Sequence, residues 1–124
     1  MSLPDKLTLS PIKNFSGTVD LPGSKSLSNR IMLLSMLAEG ITEIHNLLDS
    51  DDTRRMVEAL NTLGVKLLED RNQNRISVFG TSGSIPVTEA TLMLGNAGTV
   101  IRPLTAALTI GKGCFCSGWC AAYA

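Results

Sequence analysis

The sequence predicts an α/β domain with helices packed on a sheet, and three features carry that prediction. Strand-like segments alternate with segments of helical period in the order β-α-β-α-β-β. The first helical segment contains neither Pro nor Gly and is followed by a glycine stop. The last two strand-like segments flank a short polar stretch, as the arms of a hairpin do. Where strands lie parallel, the crossovers are expected to be right-handed.

The elements follow in order. After a short extended stretch, KLTLSPI, residues 15–21 alternate well enough for a strand, which Pro22 and Gly23 end. A helix is predicted over residues 24–38. Leu27, Ile31, Leu34 and Leu37 recur along it at helical spacing, and Met32, Leu33 and Met36 fill its other faces, so it should be largely buried. Gly40 supplies its stop. ITEIHNLL reads as a strand, and the acidic DSDD after it as a helix start, because carboxylates there oppose the positive end of the helix dipole. Met56, Leu60 and Leu63 carry this second helix to Gly64, a residue suited to a left-handed cap. VKLLED and RISVFG then flank RNQN as a hairpin. A further helix should open near Gly98 and Thr99 and run through LTAALTIG, with Pro103 in its first turn, where a missing N–H costs nothing.

Bulk properties bound the function. A chain of 124 residues with 44% apolar content fits one domain, or one piece of a larger one, and can bury a core. Eleven acidic and eleven basic residues leave no net field to attract nucleic acid or an anionic membrane, so any anion must be held locally. Apolar stretches are broken well before the ~20 residues of a membrane span, and no basic segment leads into a hydrophobic one; a cytoplasmic protein is expected. Cys114, Cys116 and Cys120 all fall in the last eleven residues, a compositional break. They lack a fourth metal ligand and the C-x-x-C spacing of a redox pair, and the single histidine, His45, reads as a core or edge residue. No metal site is expected.

The stretch GSKSLSNR concentrates donors at a helix mouth. A helix starting at Ser24 offers unpaired N–H groups and the positive end of its dipole, and Gly23 would let a ligand approach the main chain. Lys25 adds a mobile point charge, Ser26 and Ser28 add hydroxyls, and Arg30 adds a planar fork for phosphate or carboxylate. The spacing is not that of a P-loop, because Ser24 and not glycine precedes Lys25. A second stretch, GNAGTVIR, repeats the arrangement: Gly95 and Arg102 are seven apart, as are Gly23 and Arg30. Two such mouths facing a common cleft would hold two anionic groups side by side. Asp49, Asp51 and Asp52 read as cap and dipole complement, and no second acidic cluster completes a metal site around them. No nucleophile with a base is evident.

LPGSKSLSNR, NLLDSDDTRRMVEALNTLGV and LGNAGTVIRPL, in that order, resemble the N-terminal part of the 5-enolpyruvylshikimate-3-phosphate synthases, the 3-phosphoshikimate 1-carboxyvinyltransferases. The resemblance covers about residues 7 to 115. It implies transfer of the enolpyruvyl group of phosphoenolpyruvate to the 5-hydroxyl of shikimate 3-phosphate, on the route to chorismate and the aromatic amino acids. It implies no metal or organic cofactor and, for full-length members, usually a monomer. It also implies the enolpyruvyl transferase fold, two domains each of three β-α-β-α-β-β units with helix N-termini facing the cleft between them; this chain would hold one unit and the start of another, an incomplete first domain. Lys25 would contact both substrates, Ser26 and Arg30 shikimate 3-phosphate, and Gly98, with Asn96 and Thr99, the phosphoenolpyruvate pocket; Arg102 follows as a further position. No catalytic acid or base is assigned, and the chain alone is expected to be inactive. The sister UDP-N-acetylglucosamine enolpyruvyl transferases, with G-A-K-N-A where this chain has GSKSL, form the alternative, and a non-catalytic phosphate-metabolite-binding module another.

After Phe115 the sequence leaves the family pattern, Val-Leu-x-Gly-x-x-Arg-Met, for CSGWCAAYA. Reverse translation with one base dropped permits that pattern at every position and forces its glycine. Residues 1–115 are therefore expected to be the family portion and residues 116–124 an aberrant, out-of-frame tail whose cysteines have no function.

Overall fold

The helical segment that opens at the first glycine mouth forms α1, Lys25–Leu37, in a computed structural model that describes residues 5–118. Ser24 caps it through its side chain, which accepts from Leu27 N at 3.4 Å. The buried face differs from the expected one. Asn29, Met32, Leu33 and Met36 are buried, with Ser28 and Ser35, whereas Leu27 and Leu34 are 55% and 65% exposed. The methionine row and the leucine row both have helical period, but the first is buried throughout, whereas of the second only Ile31 and Leu37 pack against the core; α1 packs against α2 (Asp51–Thr62) and α3 (Gly98–Leu108).

The strand expected over residues 15–21 is absent. Residues 6–24 hold no helix or strand, and Phe15, Val19 and Leu21 are exposed. Alternation marks a face that could be buried, but a strand exists only when another strand takes up its backbone hydrogen bonds, and none of the described residues does so here.

Beyond α1 the order is β1 (Ile41–His45), α2, β2 (Leu67–Asp70) and β3 (Arg75–Phe79), as expected, followed by β4 (Glu89–Met93), α3 and β5 (Cys114–Gly118). The strand read as ITEIHNLL stops at His45, because Asn46 turns into a left-handed conformation, φ 57°. β2 and β3 form the hairpin around residues 71–74, and Gly64 takes its left-handed φ of 82° after α2. β1 and β2 both pair antiparallel with β3, so they run in the same direction with β3 between them, a split β-α-β arrangement around α2.

β4 and β5 pair in parallel and form a separate two-stranded sheet, joined by α3. Neither strand was expected. The signal for β4 was present in the alternation of Ala90, Leu92 and Leu94, all buried between exposed neighbours. α3 begins at Gly98 as expected, but Pro103 lies within its second turn and not its first. There its ring nitrogen cannot donate to the carbonyl four residues back, that of Thr99.

The two sheets and three helices share one core, with Met32, Met36, Met56, Leu60, Leu63, Ile76, Val78 and Leu104 fully buried. Substituting Met36→Ala is expected to lower unfolding free energy by about 2–5 kcal/mol, whereas Leu34→Ala, two positions away on the exposed row, should change it by less than about 0.5 kcal/mol. Denaturant unfolding of the two variants side by side checks which row is the core.

Candidate functional site at the helix mouths

The loop between β1 and α2 is fastened to the start of α1, and that is what gathers the mouths. A Cβ on Gly23 would collide with the carbonyl oxygen of Asn46 and lie 2.8 Å from Leu48 N. Glycine is therefore required there by close approach of protein backbone, which corrects the expectation that Gly23 makes room for a ligand. Leu48 N also donates to the Ser28 hydroxyl at 3.4 Å. Two residues on, Ser50 and Thr53 form a reciprocal capping box, and the Thr53 hydroxyl donates to Leu48 O at 2.7 Å. The first turn of α2 is thus held beside the first turn of α1.

Lys25 Nζ lies 3.3 Å from Asp52 Oδ2. The Thr99 hydroxyl, in the first turn of α3, donates to the same oxygen at 2.8 Å, and Asn29 Nδ2 donates to Thr99 Oγ1 at 2.9 Å. Three helix N-termini therefore meet in one connected group of side chains. The senses of these bonds are forced: an ionised Asp52 only accepts, so the Thr99 hydroxyl must donate to it, and Asn29 must then present its amide N–H groups to Thr99. Asn29 Oδ1 is left buried without a hydrogen-bond partner.

Of the residues singled out by sequence, the structure brings Lys25 and Thr99 together, through Asp52. Gly98 opens α3, and a Cβ there would meet nothing within 4 Å, so the protein's own packing does not demand glycine at that position. No side chain caps α3 at Ala97. Ser26, Arg30, Asn96 and Arg102 are exposed. Among the described residues, Arg54, Arg55, Arg71 and Arg75 all take part in ion pairs, whereas Arg30 and Arg102 take part in none. The two arginines of the repeated motif are the two left over.

Asp52 and Asn29 were missed. The sequence held a signal for Asn29, a polar residue one turn after Lys25 on the row of Met32, Leu33 and Met36. It held none that distinguishes Asp52 from its neighbours. Asp49 is instead engaged by Arg54, Nε to Oδ1 at 2.8 Å and Nη2 to Oδ2 at 2.9 Å. His45 is exposed on the edge strand β1, 3.6 Å from Glu43 Oε2. Cys114 and Cys116 are free and exposed; Cys120 lies outside the described residues. A cleft of about 380 Å³ lies elsewhere, between α2 and the β2–β3 hairpin. Its Asp49, Arg54, Asp70 and Arg75 are already paired with one another, so it offers no open charge to a ligand.

The Arg54 hydrogen bonds hold the Asp49 carboxyl below the usual carboxylate range. A lowered folded-state value means that the pair's stabilisation is fully present above the unfolded value of about 3.9 and is lost as pH falls through the lower folded value. Unfolding midpoints of the unaltered chain and Asp49→Asn should therefore differ near neutral pH and converge in strong acid. A pH series of melts reads this directly.

The family model for EPSP synthase (3-phosphoshikimate 1-carboxyvinyltransferase) matches residues 9–120. The 3-phosphoshikimate 1-carboxyvinyltransferase of Burkholderia lata is 59% identical over 109 residues, 88% of this chain and 25% of that protein. That of Paraburkholderia phymatum is 57% identical over the same shares. Among solved structures, EPSP synthase from Acinetobacter baumannii superposes with a TM-score of 0.69 at 26% identity, covering 82% of this chain and 23% of that one. The chain spans about a quarter of the length of the curated relatives it matches.

Proposed function

The chain belongs to the EPSP synthase family, and from that premise we propose that it is the anion-binding N-terminal portion of an enzyme transferring enolpyruvyl from phosphoenolpyruvate to the 5-hydroxyl of shikimate 3-phosphate. The observation that carries this reading is the pair of arginines, Arg30 and Arg102, without ion-pair partners among the described residues, on two helices joined near their N-termini by Asn29, Thr99 and Asp52. A guanidinium is always charged, and its planar fork suits a phosphate or a carboxylate.

Lys25, Ser26 and Arg30 bind shikimate 3-phosphate in this reading, with Lys25 reaching phosphoenolpyruvate as well. Asn96, Gly98 and Thr99 line the phosphoenolpyruvate side, where the uncapped start of α3 and the open space over Gly98 admit an anion to the backbone N–H groups. Arg102 is assigned to the same side. The serine at position 26 favours shikimate 3-phosphate over the nucleotide-sugar substrate of the sister family, whose motif has asparagine there. No catalytic acid or base is assigned to this chain and no cofactor is invoked. Catalysis in this reading needs substrates enclosed from water, which an open mouth does not accomplish.

Residues 1–115 are the family portion in this reading and residues 116–124 an aberrant tail. Cys116 and Ser117 nevertheless extend β5, because a ladder is made by backbone groups and tolerates altered side chains; residues 119–124 lie outside the described residues. The coding DNA past codon 124 tests the tail. A cytoplasmic location and a monomeric full-length protein complete the reading.

Supplied with both substrates, the isolated chain is expected to release no inorganic phosphate, and a phosphate-release assay that detects turnover overturns this. Titration with shikimate 3-phosphate should shift the amide resonances of residues 25–30, and Arg30→Ala should abolish those shifts. Shifts confined to the cleft beside the β2–β3 hairpin, or none at all, would remove the assignment.

A further inference from the structure

Lys25 stands where electrostatics resists it. It is the first residue of α1, at the positive end of the helix dipole, and the first turn of α1 has no acidic residue to balance it. Its long stem is flexible, and confinement costs it rotamer freedom. The counter-charge comes from another helix, as Asp52 Oδ2 at 3.3 Å. That oxygen is itself held from behind by Thr99 at 2.8 Å, and Thr99 by Asn29 at 2.9 Å.

The arrangement is not what stability alone would select. Asn29 is fully buried, and keeping its amide N–H on Thr99 leaves its Oδ1 without a partner. An apolar side chain of similar size in that place would leave no orphaned acceptor. The amide is retained at a cost, and what it secures is the orientation of the Thr99 hydroxyl and, through it, of the carboxylate facing Lys25.

We infer that Asp52 is a positioning residue for Lys25: backed by Thr99 and Asn29, it holds the ammonium at the shared mouth and occupies one of its three donors, leaving the others for an anion. This rests on the reading of Lys25 as an anion-binding residue and goes beyond it, by assigning the lysine's orientation to a carboxylate that does not itself touch the ligand. It also gives Thr99 a task behind Asp52, separate from its place beside the phosphoenolpyruvate side.

Side-chain relaxation of the lysine Cε–Hε groups, measured by NMR on the 124-residue chain without ligand, tests this. In the unaltered chain Lys25 should be markedly more ordered than the exposed Lys6 and Lys13. Asp52→Asn, which keeps shape but removes the charge, should bring Lys25 to their mobility. Thr99→Val should loosen it partly, and Thr99→Ser, which keeps the hydroxyl, should restore it. Affinity for shikimate 3-phosphate should follow the same order, falling about tenfold in Asp52→Asn. A Lys25 as mobile as Lys6 and Lys13 in the unaltered chain, or one still ordered in Asp52→Asn, overturns the inference. A loss of melting temperature in Asp52→Asn with Lys25 order unchanged also overturns it, since that marks a purely structural carboxylate. Absence of shikimate 3-phosphate binding by the unaltered chain would count against the proposed substrate alone, because the relaxation comparison decides the positioning by itself.

Discussion

The hydrogen bond from Asn29 to Thr99 is the constraint on which the functional geometry depends. It joins positions 70 residues apart in the chain and ties the second turn of α1 to the first turn of α3 at 2.9 Å. Because the Thr99 hydroxyl donates its own hydrogen bond to Asp52, and Asp52 faces Lys25, α2 is drawn into the same group. Partial positive charge at three helix starts would separate them if nothing stood between. One carboxylate, placed where two of them meet, offsets that repulsion.

The backbone enforces the same juxtaposition independently. Gly23 admits the main chain of Asn46–Leu48 against the entrance of α1, and the Ser50–Thr53 box sets where α2 begins. Asp52 therefore reaches Lys25 from a turn whose position is settled by packing and capping, not by the ion pair itself. An exposed Lys–Asp pair contributes little to stability in general. Its direction is set by the capped helix starts that carry it.

The arginines divide along the same line. Four lie in ion pairs with nearby carboxylates, which accounts for them as surface charge. Arg30 and Arg102 stand on α1 and α3, the two helices of the shared mouth, within the residues 9–120 that match the EPSP synthase family. The unpaired arginines thus lie at one end of the molecule, while the cleft between α2 and the β2–β3 hairpin lies at another with its charges already balanced.

Local pattern made α2, the β2–β3 hairpin, the extent of α1, the start of α3 and the two glycine mouths legible, because caps, turns and helical period act within a few residues; α3 itself ends at Leu108, short of the expected run through Gly111. Local pattern misjudged what depends on partners. Residues 15–21 alternate but have no strand to join; Leu27 and Leu34 have helical spacing yet face outward; β4 and β5 exist because each pairs with the other across α3. Lys25 and Thr99 could be named from motifs, whereas Asp52 could not be told from two neighbouring aspartates, and the purpose of Gly23 was read as room for a ligand when it is room for Asn46. The sequence by itself determined which residues could open helices and carry charge at them. Only the tertiary structure decided which of those openings meet, since a hydrogen bond spanning 70 residues is set by how helices pack and leaves no trace in any short window of the chain.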